Sequence, residues 1–183
     1  MQRTQALALL GQHLKTENLI NHSLAVEAIM SGLARHLGED VESFGLAGLL
    51  HDIDYDQTMD DPQRHSLIGA AILEDNGLSA EICYAVKVHN EAHGLPRLTV
   101  MDHALYAADP ASGFITAAAL IRPDKQLAAV ELKSLRKRFK EKSFARGASR
   151  EQMASCSALG MELDAFLEVA LQSMKKIAGE IGL

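Results

Sequence analysis

No stretch of this chain alternates apolar and polar residues for long enough to demand a β-strand, whereas the 3.6-residue period of a helix recurs along its whole length. The clearest run is Glu17 to Leu37, where Leu19, Ile20, Ala25, Ile29, Leu33 and Leu37 follow helical spacing and Gly38 supplies a stop. A short apolar helix is expected before it, over 4–14. Asp40 can cap a helix that runs to His51. Asp61 followed by Pro62 reads as cap and first helical position of a helix ended by Gly77. Ser79 opens another, which carries His89 and stops before Gly94 and Pro96. Thr99 with Asp102 forms a capping-box variant heading a helix that contains Asp109, and a short Ala-rich helix covers about 114–121. A basic amphipathic helix over 130–140, a helix from the Ser149–Gln152 capping box to Gly160, and a last one over about 162–180 complete the set. Aromatic residues make up 4% of the chain and Trp is absent, so Leu, Ala, Ile, Val and Met must fill the core. That composition suits helices better than sheets. The expectation is an all-α helical bundle formed by one domain over 1–183.

Two cysteines, Cys83 and Cys156, lie far apart and outside any CxxC, so a disulfide framework is not expected and a reducing cytoplasm is. The N-terminus lacks the cationic start, apolar stretch and cleavage site of a signal peptide. The longest apolar runs are too short to span a bilayer, so no membrane partner is expected. The net charge of −6 argues against general nucleic-acid binding. The charge is segregated, however. Residues 122–150 hold ten Lys or Arg against three Asp or Glu, about +7, which leaves about −13 for the rest. Carboxylates in one region and cations in another fit an anionic substrate held beside a metal.

The carboxylate region centres on the doublet His51-Asp52, which ends the apolar run Phe44-Gly-Leu-Ala-Gly-Leu-Leu50. Adjacent side chains on a helix diverge by about 100°, but at a helix end both can turn toward one point. An imidazole and a carboxylate aimed at one spot make half of a divalent-metal site. Gly45, Ala47 and Gly48 let a second helix approach closely. His22 upstream and Asp109, after Ala107-Ala108 in another apolar helix, are candidates for the remainder. A buried carboxylate is costly without a counter-charge, and a divalent cation provides one. His65, early in its helix, and His89, near the end of another, extend the set. A lone His is more often a solvent-facing or satisfied residue than a ligand, and His13, His36 and His103 have no comparable placement.

The order His22, His51-Asp52, Asp109 resembles the HD phosphohydrolase superfamily, over roughly residues 17–115. The resemblance implies an all-α HD core over that span with a C-terminal helical extension over 116–183. It also implies that His22, His51, Asp52 and Asp109 bind a divalent metal. In the HDIG subgroup the doublet continues Ile-Gly; here it reads His51-Asp-Ile-Asp54. The segment His65-Ser-Leu-Ile-Gly-Ala-Ala-Ile-Leu73 also matches, and the subgroup's later His-His-Glu reads His89-Asn90-Glu91. Those extra histidines serve a second metal in dinuclear members. Asn is a poor ligand for a transition metal, so one site is expected and a second is left open, with His93 as an alternative donor.

Two His and two Asp make a mixed nitrogen–oxygen site suited to Mn, Fe, Co, Ni or Zn. Such a metal can acidify a bound water and polarise a phosphoryl oxygen. The expected activity is therefore metal-dependent hydrolysis of a small phosphorylated substrate, a nucleotide or another phosphoester. Asp52, Asp54 and Glu91 are the carboxylates expected in the chemistry, Asp54 or Glu91 as proton acceptor. Lys133, Arg136, Lys137 and Lys140, at i, i+3, i+4 and i+7, share a helix face that could bind the phosphate, though a charged face of this kind is usually just solvated. The competing expectation is a non-catalytic module that binds a nucleotide or a partner. Nucleic-acid binding through the basic helix is disfavoured, because its segment offers only Phe139 and Phe144 for stacking.

Overall fold

The computed structural model describes residues 1–183 and contains helices and turns with no strand, as the periodicity predicts. Ten α-helices follow in order: α1 Arg3–His13, α2 Glu17–Leu37, α3 Val41–Leu50, α4 Tyr55–Thr58, α5 Leu67–Asp75, α6 Ala80–His89, α7 Val100–Leu120, α8 Leu132–Phe139, α9 Arg150–Ala154 and α10 Leu163–Lys175. The two longest, α2 and α7, pack on each other; α3 and α10 lie against α2, and α6 and α9 against α7. One contiguous apolar core runs through them, from Ala6 in α1 to Ile181 near the C-terminus. No helix is long and apolar enough to cross a membrane.

The caps explain where the helices begin. Asp40 accepts from Ser43 N at 2.7 Å and Ser79 from Ile82 N at 3.4 Å. Thr99 and Asp102 form the reciprocal pair, with Asp102 Oδ2 accepting Thr99 N at 2.9 Å. The small residues of α3 set its distance from α2. A methyl group on Gly48 would lie 2.8 Å from the Val26 carbonyl oxygen and 2.9 Å from Glu27 N, so the two backbones touch there.

Two expectations need correction. The helix expected from Asp61-Pro62 begins only at Leu67, and residues 61–66 form turns. The local cap signal is overridden because Ser66, with φ of +68°, redirects the chain so that Ser66 N and Gly69 N both meet the buried Asp54 carboxylate. The Ala-rich segment 114–121 is not a separate helix either: α7 runs unbroken through Pro110 to Leu120, across the expected core boundary at 115. Pro110 removes one helical hydrogen bond, but Ala107, Ala108, Ala111, Phe114 and Ile115 are all fully buried, and that burial outweighs the loss.

Candidate metal centre

The ends of α3 and α6 and the turn before α5 converge on the flanks of α2 and α7. His22 stands on α2, His51 and Asp52 close α3, His65 sits in the turn before α5, His89 ends α6, and Asp109 lies halfway along α7. All six belong to one cluster. His22 Nε2 is 3.1 Å from His51 Nε2, 3.5 Å from Asp52 Oδ2 and 3.2 Å from Asp109 Oδ1. His51 Nε2 is 3.5 Å from Asp52 Oδ2 and 3.8 Å from Asp109 Oδ1. The other Asp52 oxygen, Oδ1, faces His65 Nε2 at 3.3 Å and His89 Nε2 at 3.4 Å. Asp52 thus links two groups of donors. Donors placed about 2.0–2.2 Å from a shared cation are themselves about 3.0–3.5 Å apart, and most of these separations fall in that range.

The other ring nitrogens decide which tautomer each imidazole adopts. His51 Nδ1 donates to the Gly48 carbonyl at 2.8 Å and His89 Nδ1 to the Val86 carbonyl at 2.6 Å. A carbonyl only accepts, so Nδ1 carries the proton in both. His65 Nδ1 donates to Asp54 Oδ1 at 3.0 Å. The Ser112 hydroxyl donates to the Asp109 carbonyl at 2.8 Å, and its oxygen is therefore free to accept from His22 Nδ1 at 2.9 Å. In the neutral form, all four Nε2 lone pairs point inward, at two carboxylates. That donor set fits a divalent cation, since each ring is oriented through its far nitrogen.

Without a cation the cluster balances itself by protonation. Burial opposes charge on His51, but Asp52 and Asp109 outweigh it and raise the imidazole to about 9. Burial likewise opposes charge on His65, and Asp52 with Asp54 raises it to about 9. Burial would raise the pKa of Asp52, yet His51, His65, His89 and His22 hold it well below the usual carboxylate range. Asp109 behaves in the same way through His22 and His51.

Asp54 does not face this cluster as a free base. It is fully buried, and its carboxylate accepts from Ser66 N and Gly69 N, both at 2.8 Å, besides His65 Nδ1. Its place is that of an anchor for His65 and the start of α5. A Cβ on Gly69 would come within 3.3 Å of that carboxyl carbon, which accounts for the glycine. Asn90 and His93 brace the same turn: Asn90 Nδ2 donates to Pro62 O at 2.8 Å, and His93 Nε2 to His65 O at 2.8 Å. His93 is therefore committed to a backbone carbonyl and not to the cluster. Asp54→Ala is expected to strand two buried N–H groups and lower stability by about 1 to 3 kcal/mol. Thermal melting checks it, and a midpoint within a degree of wild type would contradict it.

Glu91 lies on the exposed rim two residues beyond His89, where its Oε2 accepts from Tyr106 Oη at 2.8 Å. The basic face of α8 is a correction. Lys133, Arg136, Lys137 and Lys140 are exposed, Arg136 pairs with Asp164 at 2.7 Å, and none of the four lines the cavities against His22 and Asp109. The wall beside Asp109 is built instead by Ala145, Gly147 and Ala148. Arg150 holds that wall. Its guanidinium donates to the carbonyls of Phe144 at 2.6 Å, Ala145 at 3.0 Å and Ala148 at 2.7 Å while lying 4.6 Å from the Phe114 ring centre. Sequence reasoning counted Arg150 only in the net charge of the 122–150 segment and did not assign it a role. Ser112 and Tyr55 were also missed. The Tyr55 ring packs edge-on against His65 with centroids 5.1 Å apart. Burial first, then Asp52 and Asp109, raises the pKa of its phenol and keeps it a donor.

Comparison with known proteins adds a family and partial relatives. The family described as HD domain matches residues 19–140, about two thirds of the chain and extending through α8. Ribonuclease Y of Nitratidesulfovibrio vulgaris is 37% identical over 100 residues, covering 54% of this chain and 18% of that protein. Ribonuclease Y of Lawsonia intracellularis is 33% identical over 98 residues, covering 54% and 19%. That of Oleidesulfovibrio alaskensis is 33% identical over 114 residues, covering 60% and 21%. The chain spans about a fifth of the length of these relatives. No solved structure matches it significantly.

Proposed function

Because the chain belongs to the HD-domain family, we propose that it is a metal-dependent phosphohydrolase acting on a nucleotide or another small phosphoester. The observation that supports this most is the set of four imidazoles turned inward by their Nδ1 partners around Asp52 and Asp109. His22, His51, Asp52 and Asp109 would hold one divalent transition metal, Mn, Fe, Co, Ni or Zn. His65 and His89, sharing Asp52, would hold a second or contact the substrate's phosphate. The bound metal would supply Lewis acidity toward a phosphoryl oxygen and acidify a water. The chain's own groups do the rest. Asp52 fixes the charge at the centre of the cluster. Asp54 keeps the His65 ring in place through Nδ1. The Tyr55 phenol retains its proton and can donate to a phosphate oxygen. Glu91, aligned by Tyr106, is the rim carboxylate available to accept a proton.

The relatives named Ribonuclease Y support a second reading, cleavage of an RNA phosphodiester. Metal analysis of the purified protein, followed by a screen of nucleotides, simple phosphoesters and a short RNA with that metal, tests both. A protein with bound metal that hydrolyses none of them would leave the binding-module alternative.

The cluster also sets a pH signature. In the metal-free protein His51 and His65 have raised pKa values, so the stability they contribute is complete below pH 6.5 and fades as the pH rises through about 9. Metal binding needs the same rings neutral, so the stabilisation by metal grows over that range. Melting curves between pH 6.5 and 9.5 are expected to show a midpoint that falls by several degrees in chelator and holds or rises with metal. Parallel curves would contradict the assignment.

A further inference from the structure

Two openings adjoin the cluster, and they share His22 and Gly113. One, of about 330 Å³, runs from Asp109 to the wall at Ala145 and Gly147. The other, of about 530 Å³, runs from His22 to Glu17, Asn18 and Asn21 on α2, to Thr116 and Leu120 on α7, and is closed on a third side by Ile181, Gly182 and Leu183. Helical spacing explains the lining. Asn18 and His22 are four residues apart on α2, and Asp109, Gly113, Thr116 and Leu120 fall at three- or four-residue steps on α7. The two openings meet over Gly113 and form one cleft, floored by α2 and α7 and walled by residues 145–148 at one end and 181–183 at the other.

Gly113 has no packing reason to be glycine. It is exposed, lies inside the 21-residue α7, has no positive φ, and a Cβ built on it meets nothing within 4 Å. Gly48 and Gly69 each face a neighbour that a Cβ would crowd; Gly11 in α1 is as open as Gly113, and it is the place beside His22 and Asp109 that sets Gly113 apart. A glycine inside a helix is destabilising, so leaving this position bare one turn from Asp109 keeps space open for something to pass close to the backbone.

The lining describes what that is. Neither opening is lined by Lys or Arg, so the cleft does not suit a run of phosphates. Asn18 and Asn21 carry amides with no hydrogen-bond partner in the protein, and an amide pairs donor and acceptor with the edge of a base. Leu120, half exposed, offers an apolar face beside them. Asn18 lies about 6 Å from His22 along α2, and Thr116 about 10 Å beyond Asp109 along α7. We infer that this cleft seats the nucleoside of a nucleoside monophosphate, with its phosphate at the His–Asp cluster and its base at Asn18 and Asn21. The inference rests on the phosphohydrolase reading and narrows it to a mononucleotide.

Titration calorimetry on the full chain loaded with Mn²⁺ tests it, using inorganic phosphate, the nucleoside 5′-monophosphates, a hexose 6-phosphate and a short RNA. At least one nucleoside monophosphate is expected to bind tenfold or more tightly than phosphate or hexose phosphate. Gly113→Leu is expected to weaken that binding tenfold or more, with metal content and phosphate affinity unchanged. Asn18→Ala should weaken it severalfold. Gly113→Ala, melting at or above wild type, shows that the position tolerates a side chain. Equal nucleotide affinity in Gly113→Leu, no preference over phosphate, or tighter binding of RNA would each overturn the proposal. Failure of the underlying reading looks different: no metal-dependent phosphate binding in the wild type. In that case the free nucleoside, followed through the Asn18 and Asn21 side-chain amide signals by NMR, still decides. Shifts that vanish in Gly113→Leu support the seat, and their absence in the wild type overturns it.

Discussion

Asp52→Asn is expected to lose bound metal and to cut turnover by about 10³-fold or more, a loss of about 4 kcal/mol of transition-state stabilisation. Asp52 is the group that touches both halves of the cluster, His22 and His51 through Oδ2 and His65 and His89 through Oδ1. An amide in its place keeps the shape and removes the charge. The oxygen that remains serves one half, and the NH₂ turned toward the other faces Nε2 lone pairs that want a cation. Four imidazoles with the Asp109 carboxylate alone attract a divalent ion less well. The variant should fold, because both Asp52 oxygens point into the cluster and no backbone group depends on them. Elemental analysis and turnover on whichever phosphoester the screen identifies check this. Full metal occupancy with turnover within tenfold of wild type would show that Asp52 is not the link between the two halves.

Gly48→Leu is expected to be the most damaging single change to the fold, lowering stability by about 4 kcal/mol, at the upper end for an overpacked core. The atoms in the way are Val26 O and Glu27 N and Cα, which belong to the backbone of α2 and cannot rotate aside. The helices must separate. Because α2 carries His22 and α3 carries His51, separation also pulls apart two imidazoles that now stand 3.1 Å from each other. Stability and metal affinity should therefore fall together. Gly45→Ala is the control: its added methyl meets the Ser31 hydroxyl, the mobile end of a side chain, at 2.9 Å. The melting midpoint is expected to drop by roughly 8–16 °C for Gly48→Leu and by a few degrees at most for Gly45→Ala. Equal effects would mean that side-chain crowding, and not backbone contact, sets the spacing.

The fold was legible where a local signal and its tertiary surroundings agree. Thr99 with Asp102, Ser79, Asp40 and Gly38 marked helix ends that the structure keeps, because nothing nearby competes for those backbone groups. Asp61-Pro62 misled because the groups that end the turn and start α5 answer to the Asp54 carboxylate, a tertiary contact outside the cap signal itself. The Ala-rich segment 114–121 read as a helix of its own, since the burial that carries α7 unbroken through Pro110 is a property of the assembled core. For the site, order and helix-end placement were enough to select six residues that the structure brings together; their roles as ligands remain our proposal. Ser112 and Arg150 could not be selected, and Asn90 stood out only as a missing ligand, because what they do lies in which carbonyl or ring nitrogen they meet. The basic face of α8 was legible as a charge pattern, but helical spacing does not say which way a face points.

His51 and His89 each donate to the carbonyl three residues earlier, at the last turn of the helix that carries them. Releasing either ring therefore frees a helix end, and a cation held by these rings would tie together segments from residue 22 to residue 109. Ligand-linked stability of this kind depends on the free metal concentration around the protein. If these rings hold a metal as proposed, the rate at which proteases clear the chain would become a readout of metal supply, slow where the ion is plentiful and fast where it is scarce.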